Sequence, residues 1–161
     1  MISVVIQTLN DESVLGRTLQ PLVGAAIEGL VSEVIVVDAG STDATLQIAD
    51  DAGCRIIEEA LSSDDRWGAG ESVARRDWIL RLEPRAWLSP GWEAAARDHM
   101  ERHPGRSAVF PGKAGGMLGW LGWLGLGTPA PLARLAPVAR LSKGGAPRRM
   151  AVHLAPSDRR G

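Results

Sequence analysis

Short apolar runs alternate with helix-like segments over residues 1–110. The runs are rich in β-branched residues and hold few polar positions, which is typical of strands buried on both faces. They cover residues 2–8, 33–38, 54–57 and 78–82, with 107–110 as a further candidate. Because strands and helices alternate and the loops are short, the pattern predicts an α/β fold with three layers around a mostly parallel sheet.

The predicted helices lie between these runs and begin at polar residues that can cap them. They extend from Asn10, over residues 44–51 and from Ser89, with a weak helix or loop over 68–76. Asn10 and Ser89 are residue types that accept hydrogen bonds from the first turn of a helix, and Pro90 suits the first helical position. Pro21 is expected to kink or end the first helix, because proline lacks the amide donor that a helix interior needs.

The composition changes at Pro111. Residues 112–127 contain seven glycines among tryptophans and leucines. This segment is too short and too rich in glycine to span a bilayer, which takes about 20 apolar residues. From Thr128 onward proline, alanine and arginine dominate, and no strand is evident. We therefore expect a domain over residues 1–111, followed by an irregular C-terminal extension over 112–161.

The balance of acidic and basic residues also changes at Pro111. Residues 1–111 hold 18 acidic and 10 basic side chains, whereas residues 112–161 hold one acidic and eight basic ones, so the net charge of −1 conceals two opposite halves. The basic extension either docks on the acidic body or meets an acidic partner, such as a membrane surface or another protein. No nucleic-acid partner is expected, because no recognition motif accompanies the basic residues.

The sequence favours a cytoplasmic protein. The single cysteine, Cys54, excludes an internal disulfide, and the first residues lack the basic region of a secretory signal. Two interpretations of the apolar segment 112–127 stay open. Its tryptophans lie at a membrane interface, which would make the protein peripheral at the inner face of a membrane, or its side chains close the open face of the sheet as core.

Candidate chemistry is concentrated where the predicted strands end, because ligands of an open parallel sheet bind beyond the carboxyl ends of its strands. The polar residues at those points are Thr8, Asn10, Asp38, Glu83 and Arg85. Asp38 ends an otherwise apolar strand, so its carboxylate is expected to face the crevice and accept a hydrogen bond from a base or ribose. Residues 41–43 either bind an anion at the next helix N-terminus or serve only as turn and cap residues.

Three motifs in this order resemble the opening of family 2 glycosyltransferases with the GT-A, nucleotide-diphospho-sugar transferase-like fold. The motifs are VVIQTLNDESVLGRTLQPL, EVIVVDAGSTDATLQIADDAG and WILRLEPRAWLSPGW, and the resemblance covers about residues 1–110. It implies transfer of a sugar from a nucleotide-sugar donor to an acceptor that the sequence does not identify. It also implies that Thr8 and Asn10 lie on the nucleotide side and that Asp38 contacts the base.

The third motif departs from the family at its metal site. Family members bind Mg²⁺ or Mn²⁺ through an acidic DxD element, where this chain has Glu83, Pro84 and Arg85. An arginine cannot ligate a cation, so the usual metal site is predicted to be absent. Two interpretations of Arg85 stay open: its guanidinium neutralises the donor diphosphate in place of the metal, or it is a solvent-facing residue in a degenerate copy.

No residue is identified as the catalytic base. An inverting transfer needs a base within reach of the acceptor hydroxyl, and after Phe110 the only carboxylate side chain is Asp158. We therefore expect glycosyl transfer as the function, with a catalytically inactive binding or regulatory subunit, associated with a membrane, as the alternative. Arg81, inside a predicted strand, lies either at a sheet edge or beside a carboxylate, because a buried unpaired guanidinium is costly.

Overall fold

The computed structural model describes residues 1–59, 62–110, 133–138 and 148–149. These residues form strands and helices that alternate over most of the chain. The strands are β1 (Ile2–Thr8), β2 (Val31–Asp38), β3 (Arg55–Glu58), β4 (Trp78–Leu82), β5 (Ala108–Phe110), β6 (Ala133–Pro137) and β7 (Arg148–Arg149). The helices are α1 (Glu12–Ile27), α2 (Thr45–Asp51), α3 (Ser63–Ser72) and α4 (Trp92–Arg102).

Four of the seven strands in the described sheet are neighbours that run parallel, in the order β3-β2-β1-β4. β6 then runs antiparallel between β4 and β5, and β7 pairs in parallel with β5. The register aligns Thr8 with Asp38 and Ile6 with Leu82, so the carboxyl ends of β1, β2 and β4 lie together. The prediction of an α/β fold with a mostly parallel sheet is confirmed.

Apolar cores fill both faces of the sheet, because alternate strand residues point to opposite sides. The larger core packs the sheet against α1 and α4, and Trp92 and Phe110 are among its fully buried side chains. The smaller core packs against α3. Its buried members are Val5, Ile35, Val37 and Ile79. The sheet is therefore the middle of three layers.

α3 lies very close to the sheet at Gly70. A Cβ at this position would come 2.5 Å from Val5 Cγ1 and 2.9 Å from Val37 Cγ2, so only a hydrogen atom fits there. Glycine weakens a helix interior relative to alanine, but here it allows the helix backbone to approach the strands. The segment predicted as a weak helix or loop is thus a helix that begins earlier, and it brings Arg66 near Glu83.

β6 corrects the expectation that no strand follows Thr128. Residues 133–137 read ARLAP, and no local signal marks them, because alanine and proline are both depleted in strands. Pairing on both sides forms the strand instead, with Leu135 opposite Leu80 of β4 and opposite Ala108 of β5. The domain boundary at residue 111 stays a prediction.

α1 differs from its prediction at two points. Asp11, rather than Asn10, occupies the N-cap position, because Asn10 has a φ of 53° and directs its side chain to another loop. The helix also does not end at Pro21 but continues to Ile27. Buried residues on either side of the proline, among them Leu19 and Leu22, hold both parts of the helix against the sheet.

α4 begins later than predicted. Gly91, with a φ of 88°, occupies the N-cap position, and Ser89 and Pro90 form the turn before it. The Trp92 amide donates to the Ser89 carbonyl across this turn. Glycine suits the site because side chains disfavour a positive φ.

Among the described residues, no helix is long and apolar enough to cross a membrane. The segment 112–127 and Asp158 lie outside the described residues. The two interpretations of that segment therefore stay predictions.

Candidate functional site

The ladder between β1 and β2 joins two of the predicted site residues directly. Thr8 and Asp38 are paired in register, and Thr8 Oγ1 donates to Asp38 Oδ1 at 2.6 Å. Both residues are buried. Thr8 and Asp38 therefore act as one hydrogen-bonded unit at the carboxyl edge of the sheet.

The carboxylate of Asp38 is fully buried, and both of its oxygens accept hydrogen bonds from other residues of this chain. Oδ1 also accepts from Ser41 Oγ at 2.6 Å, and Oδ2 accepts from the amides of Gly40 at 2.9 Å and Ser41 at 2.6 Å. Burial alone would raise the pKa of Asp38, but hydrogen bonds from Ser41, Thr8 and Gly40 outweigh it and hold the pKa below its ordinary value. Asp38 thus stays ionised and fixes the loop after β2. Its contact with a base stays a prediction.

The loops after β1 and β2 are joined by reciprocal hydrogen bonds. The Asn10 amide donates to Ser41 Oγ at 2.8 Å, and the Thr42 amide donates to Asn10 Oδ1 at 2.8 Å. One residue further on, the Asp11 amide donates to Thr45 Oγ1 at 2.8 Å. These bonds favour the interpretation of Ser41 and Thr42 as turn residues, and they position Asn10 at the exposed rim of the crevice.

Sequence reasoning missed two residues near the end of β4, Asp11 and Arg66. Asp11 is buried, and its Oδ2 accepts from the Leu9 amide at 3.0 Å. Arg66 of α3 has a buried Nε that finds no hydrogen-bond partner within the described ranges. In the sequence Asp11 is an ordinary first-turn acid and Arg66 an ordinary polar helix residue, so only their proximity to Glu83 marks them as site residues.

Glu83 and Arg85, which follow β4, add a negative and a positive charge near Asp11 and Arg66. Burial raises the pKa of the half-buried Glu83, and the Asp11 carboxylate raises it further, whereas Arg66 works to lower it. Arg85 Nε lies 4.0 Å from Asp11 Oδ1, and 78% of the Arg85 side chain is exposed. An exposed pair of this kind contributes little stability, so the Arg85 guanidinium is available to a ligand.

Arg81 lies inside the sheet, between β1 and β6, rather than at an edge. Its guanidinium forms an ion pair with Glu71 of α3 and lies 5.4 Å from the centre of the Trp67 ring. Arg134 of β6 is directly opposite Arg81 in the ladder. Of the two positions that the sequence left open for Arg81, the structure therefore shows the one beside a carboxylate.

This arrangement of strands and helices is the GT-A fold. The structure matches glucosyl-3-phosphoglycerate synthase from Mycobacterium tuberculosis, in complex with phosphoglyceric acid, with a TM-score of 0.71 and 20% identity over 88% of this chain and 58% of that chain. It matches TarS from S. aureus with a TM-score of 0.68 and 18% identity, over 87% of this chain and 48% of that chain. At these identities the likeness establishes the fold alone.

Sequence comparison assigns the chain to one family with this fold. The model of Glycosyl transferase family 2 matches residues 3–130, so the chain belongs to that family. An uncharacterized glycosyltransferase from Rickettsia felis is 34% identical over 89 residues, which are 55% of this chain and 30% of that protein. A glucosyl-3-phosphoglycerate synthase from Mycolicibacterium paratuberculosis is 40% identical over 77 residues, which are 46% of this chain and 23% of that protein. The matches thus span less than a third of these curated relatives.

The residues at the end of β4 do not fit the divalent cation implied by the family. β4 is followed by Glu83 and Arg85, and the described part of the chain contains no group of three or more Asp, Glu, His or Cys residues able to hold a metal ion. The nearby carboxylate of Asp11 already faces the Arg85 guanidinium. Among the described residues, the positively charged groups near Asp11 and Glu83 are the guanidinium groups of Arg85 and Arg66.

Proposed function

We propose that this chain binds a nucleoside-diphosphate sugar at the carboxyl ends of β1, β2 and β4 and transfers the sugar to an acceptor. The observation that carries the proposal is the convergence of these three polar strand ends in a member of Glycosyl transferase family 2. Structures similar to this one contain uridine diphosphate or UDP-glucose. Uridine nucleotides are therefore the first donors to test.

Thr8, Asn10 and Asp38 form the nucleoside side of the proposed site. Because Asp38 is already bonded to donors of this chain, its first role is to hold the loop after β2 in shape. A base can reach Asp38 Oδ1 when the Ser41 hydroxyl rotates away, since a hydroxyl can turn to another acceptor. Asn10, exposed at the rim, contacts the nucleoside from the solvent side.

Glu83 and Arg85 lie on the diphosphate side. In the proposed transfer the bond between the anomeric carbon and the diphosphate oxygen breaks, and that oxygen keeps the electron pair. A bond forms between the anomeric carbon and the acceptor oxygen, and the acceptor hydroxyl gives up its proton to a water molecule. The exposed Arg85 guanidinium neutralises the negative charge of the leaving nucleoside diphosphate through paired hydrogen bonds.

A binding or regulatory subunit without transfer activity is the second candidate. It is favoured by the absence of Asp and Glu from residues 111–157, which leaves no carboxylate base in that stretch of the sequence. In such a subunit the crevice would bind a nucleotide, and the basic extension 112–161 would contact an acidic protein or membrane surface.

Calorimetric titration with UDP, GDP and their sugars, with Mn²⁺ and with a chelator, tests the donor site. We expect binding that survives chelation and that weakens about tenfold or more in Arg85→Gln, because a hydrogen bond to a charged group contributes roughly 1.5–3 kcal/mol. Arg102→Gln is the matched control, since Arg102 is an exposed arginine paired with Asp98 on α4.

Different failures of this experiment contradict different claims. Binding that disappears on chelation would contradict the role of Arg85, whereas no binding to any of the nucleotides would contradict the donor site itself. Slow release of free sugar from a bound donor, detected by chromatography, would favour a transferase over a binding subunit, because water replaces the missing acceptor.

A further inference from the structure

Two like charges lie side by side in the sheet next to the proposed donor site. Arg81 of β4 and Arg134 of β6 are directly opposite in the antiparallel ladder, with Val5 on the β1 side and Val109 on the β5 side. Directly opposite residues point to the same face at about 5 Å between Cβ atoms, and like charges in such positions repel. The face is the one covered by α3, because Arg81 contacts Trp67 there.

One carboxylate accompanies these two guanidinium groups. Glu71 pairs with Arg81, whereas Arg134 forms no ion pair among the described residues, and its buried Nε has no hydrogen-bond partner there. The neighbouring sequence offers no replacement, because residues 111–157 contain no Asp or Glu. Burying an unpaired guanidinium costs free energy. Among the described residues, the two guanidinium groups and Glu71 therefore carry a net positive charge, which an anionic ligand can neutralise.

We propose that Arg134, together with Arg81, binds an anionic group of the acceptor, either a phosphate or a carboxylate. Planar guanidinium groups bind both of these anions through paired hydrogen bonds. This inference names the acceptor class and rests on the proposed function. It makes Arg134 a binding residue for the acceptor and Glu71 a residue that moderates the charge of the site.

The position of the arginine pair separates this anion from the donor diphosphate. Arg81 precedes Glu83 by two residues, a rise of about 7 Å along a strand, and its side chain lies under α3. Arg85 lies beyond the end of β4 and is largely exposed. Two anionic groups can thus be bound at once, one from the donor at Arg85 and one from the acceptor at Arg134.

Titration with inorganic phosphate at constant ionic strength, with and without saturating UDP, tests the anion site in the full chain. We expect the wild type to bind phosphate also when UDP is bound, and Arg134→Gln to bind it about tenfold more weakly. Glu71→Gln should bind phosphate several-fold more tightly, because the charge of Arg81 is then no longer offset by a carboxylate. Arg102→Gln, which changes an exposed arginine paired with Asp98 on α4, should match the wild type.

The outcomes separate this inference from the proposed function. Phosphate affinity that is unchanged in Arg134→Gln, or phosphate that UDP displaces mole for mole, would overturn the acceptor site and leave the donor site standing. Phosphate binding that depends on Arg134 in a chain that binds no nucleotide would uphold the anion site and overturn the donor site.

If Arg134→Gln does not fold, a second measurement still tests the anion site. At an ionic strength held constant with chloride, phosphate should raise the melting temperature of Glu71→Gln more than that of the wild type, because the general stabilising effect of phosphate is the same for both. An equal rise of the melting temperature with phosphate in the wild type and in Glu71→Gln would overturn the inference without any use of Arg134→Gln.

Discussion

A buried carboxylate destabilises a protein unless hydrogen bonds compensate for the lost water. At Asp38 that compensation comes from Thr8, the last residue of β1, and from Ser41 and the Gly40 amide in the loop after β2. The residue that the sequence indicates as a ligand contact is therefore also the residue that shapes the loop. We therefore expect substitutions at Asp38 to change stability together with binding at the proposed donor site.

Asp38→Asn is expected to lower the free energy of unfolding at pH 7 by about 2–3 kcal/mol, because its amide nitrogen cannot accept from the Gly40 and Ser41 amides. The pKa of Asp38 is lowered in the folded state, so its stabilising contribution is present above the ordinary Asp pKa and is lost as the pH falls through the folded value. Urea unfolding at several pH values measures this. A deficit that did not shrink in acid would contradict the account, and Asp50→Asn, at an exposed position of α2, is the control.

The sequence predicts part of the site because strand ends are visible in it. Thr8, Asp38 and Glu83 follow apolar runs, and parallel pairing brings their positions together. Asp11 and Arg66 were missed because their neighbours in space come from other elements, so no spacing in the sequence reports the contact. Long-range proximity of side chains is the information that a single sequence lacks.

At the scale of elements, α3 shows how one glycine sets the distance between a helix and a sheet. The helix has weak amphipathic character, and a glycine-containing segment is an uncertain helix in any sequence. Packing decides its structure, since Gly70 lies against Val5 and Val37. The same close packing places the α3 side chains Arg66 and Glu71 beside β4.

Two glycines of α3 form a matched pair for a test of this packing. Gly70→Ala is expected to lower the free energy of unfolding by about 1–3 kcal/mol, because the added methyl group overlaps Val5. Gly68→Ala meets no atom within 4 Å and should raise it by about 0.5–1 kcal/mol through helix propensity. Denaturant titration gives both values, and equal shifts in the two variants would refute the close approach.

The sequence predicts β1 well, whereas it does not predict β6. β1 is a continuous run of buried, mostly β-branched residues, so its bounds are legible in the sequence. β6 contains alanine, arginine and proline, and it exists because β4 and β5 offer edges on both sides. A strand formed by its neighbours leaves no periodic pattern of its own.

At the scale of the whole molecule, β6 makes residues 133–137 part of the same sheet as the first 110 residues. It separates β4 from β5, so the two strands of residues 1–110 that flank it pair with β6 instead of with each other. Leu135 is fully buried in the larger core at the centre of this arrangement. Stability of the first 110 residues is therefore expected to depend on residues that follow them.

Leu135→Ala is expected to lower the free energy of unfolding by about 2–5 kcal/mol in a single transition, because it opens a cavity in the shared core. Circular dichroism and tryptophan fluorescence should report the same midpoint. Val138→Ala, with its side chain partly exposed just beyond β6, should change little. A separate early transition that left the rest of the fold intact would instead support an independent domain over residues 1–111.

The order in which the strands leave the ribosome matters for a sheet built in this way. β4 and β5 are synthesised well before β6, and at about 5–20 residues per second the delay after β4 lasts a few seconds. During that interval the facing edges of β4 and β5 carry unpaired amide and carbonyl groups, which are templates for pairing with other chains. We therefore expect intermolecular strand pairing to be a hazard while the chain is still on the ribosome, and binding of a chaperone to the nascent chain would protect these edges until β6 is synthesised.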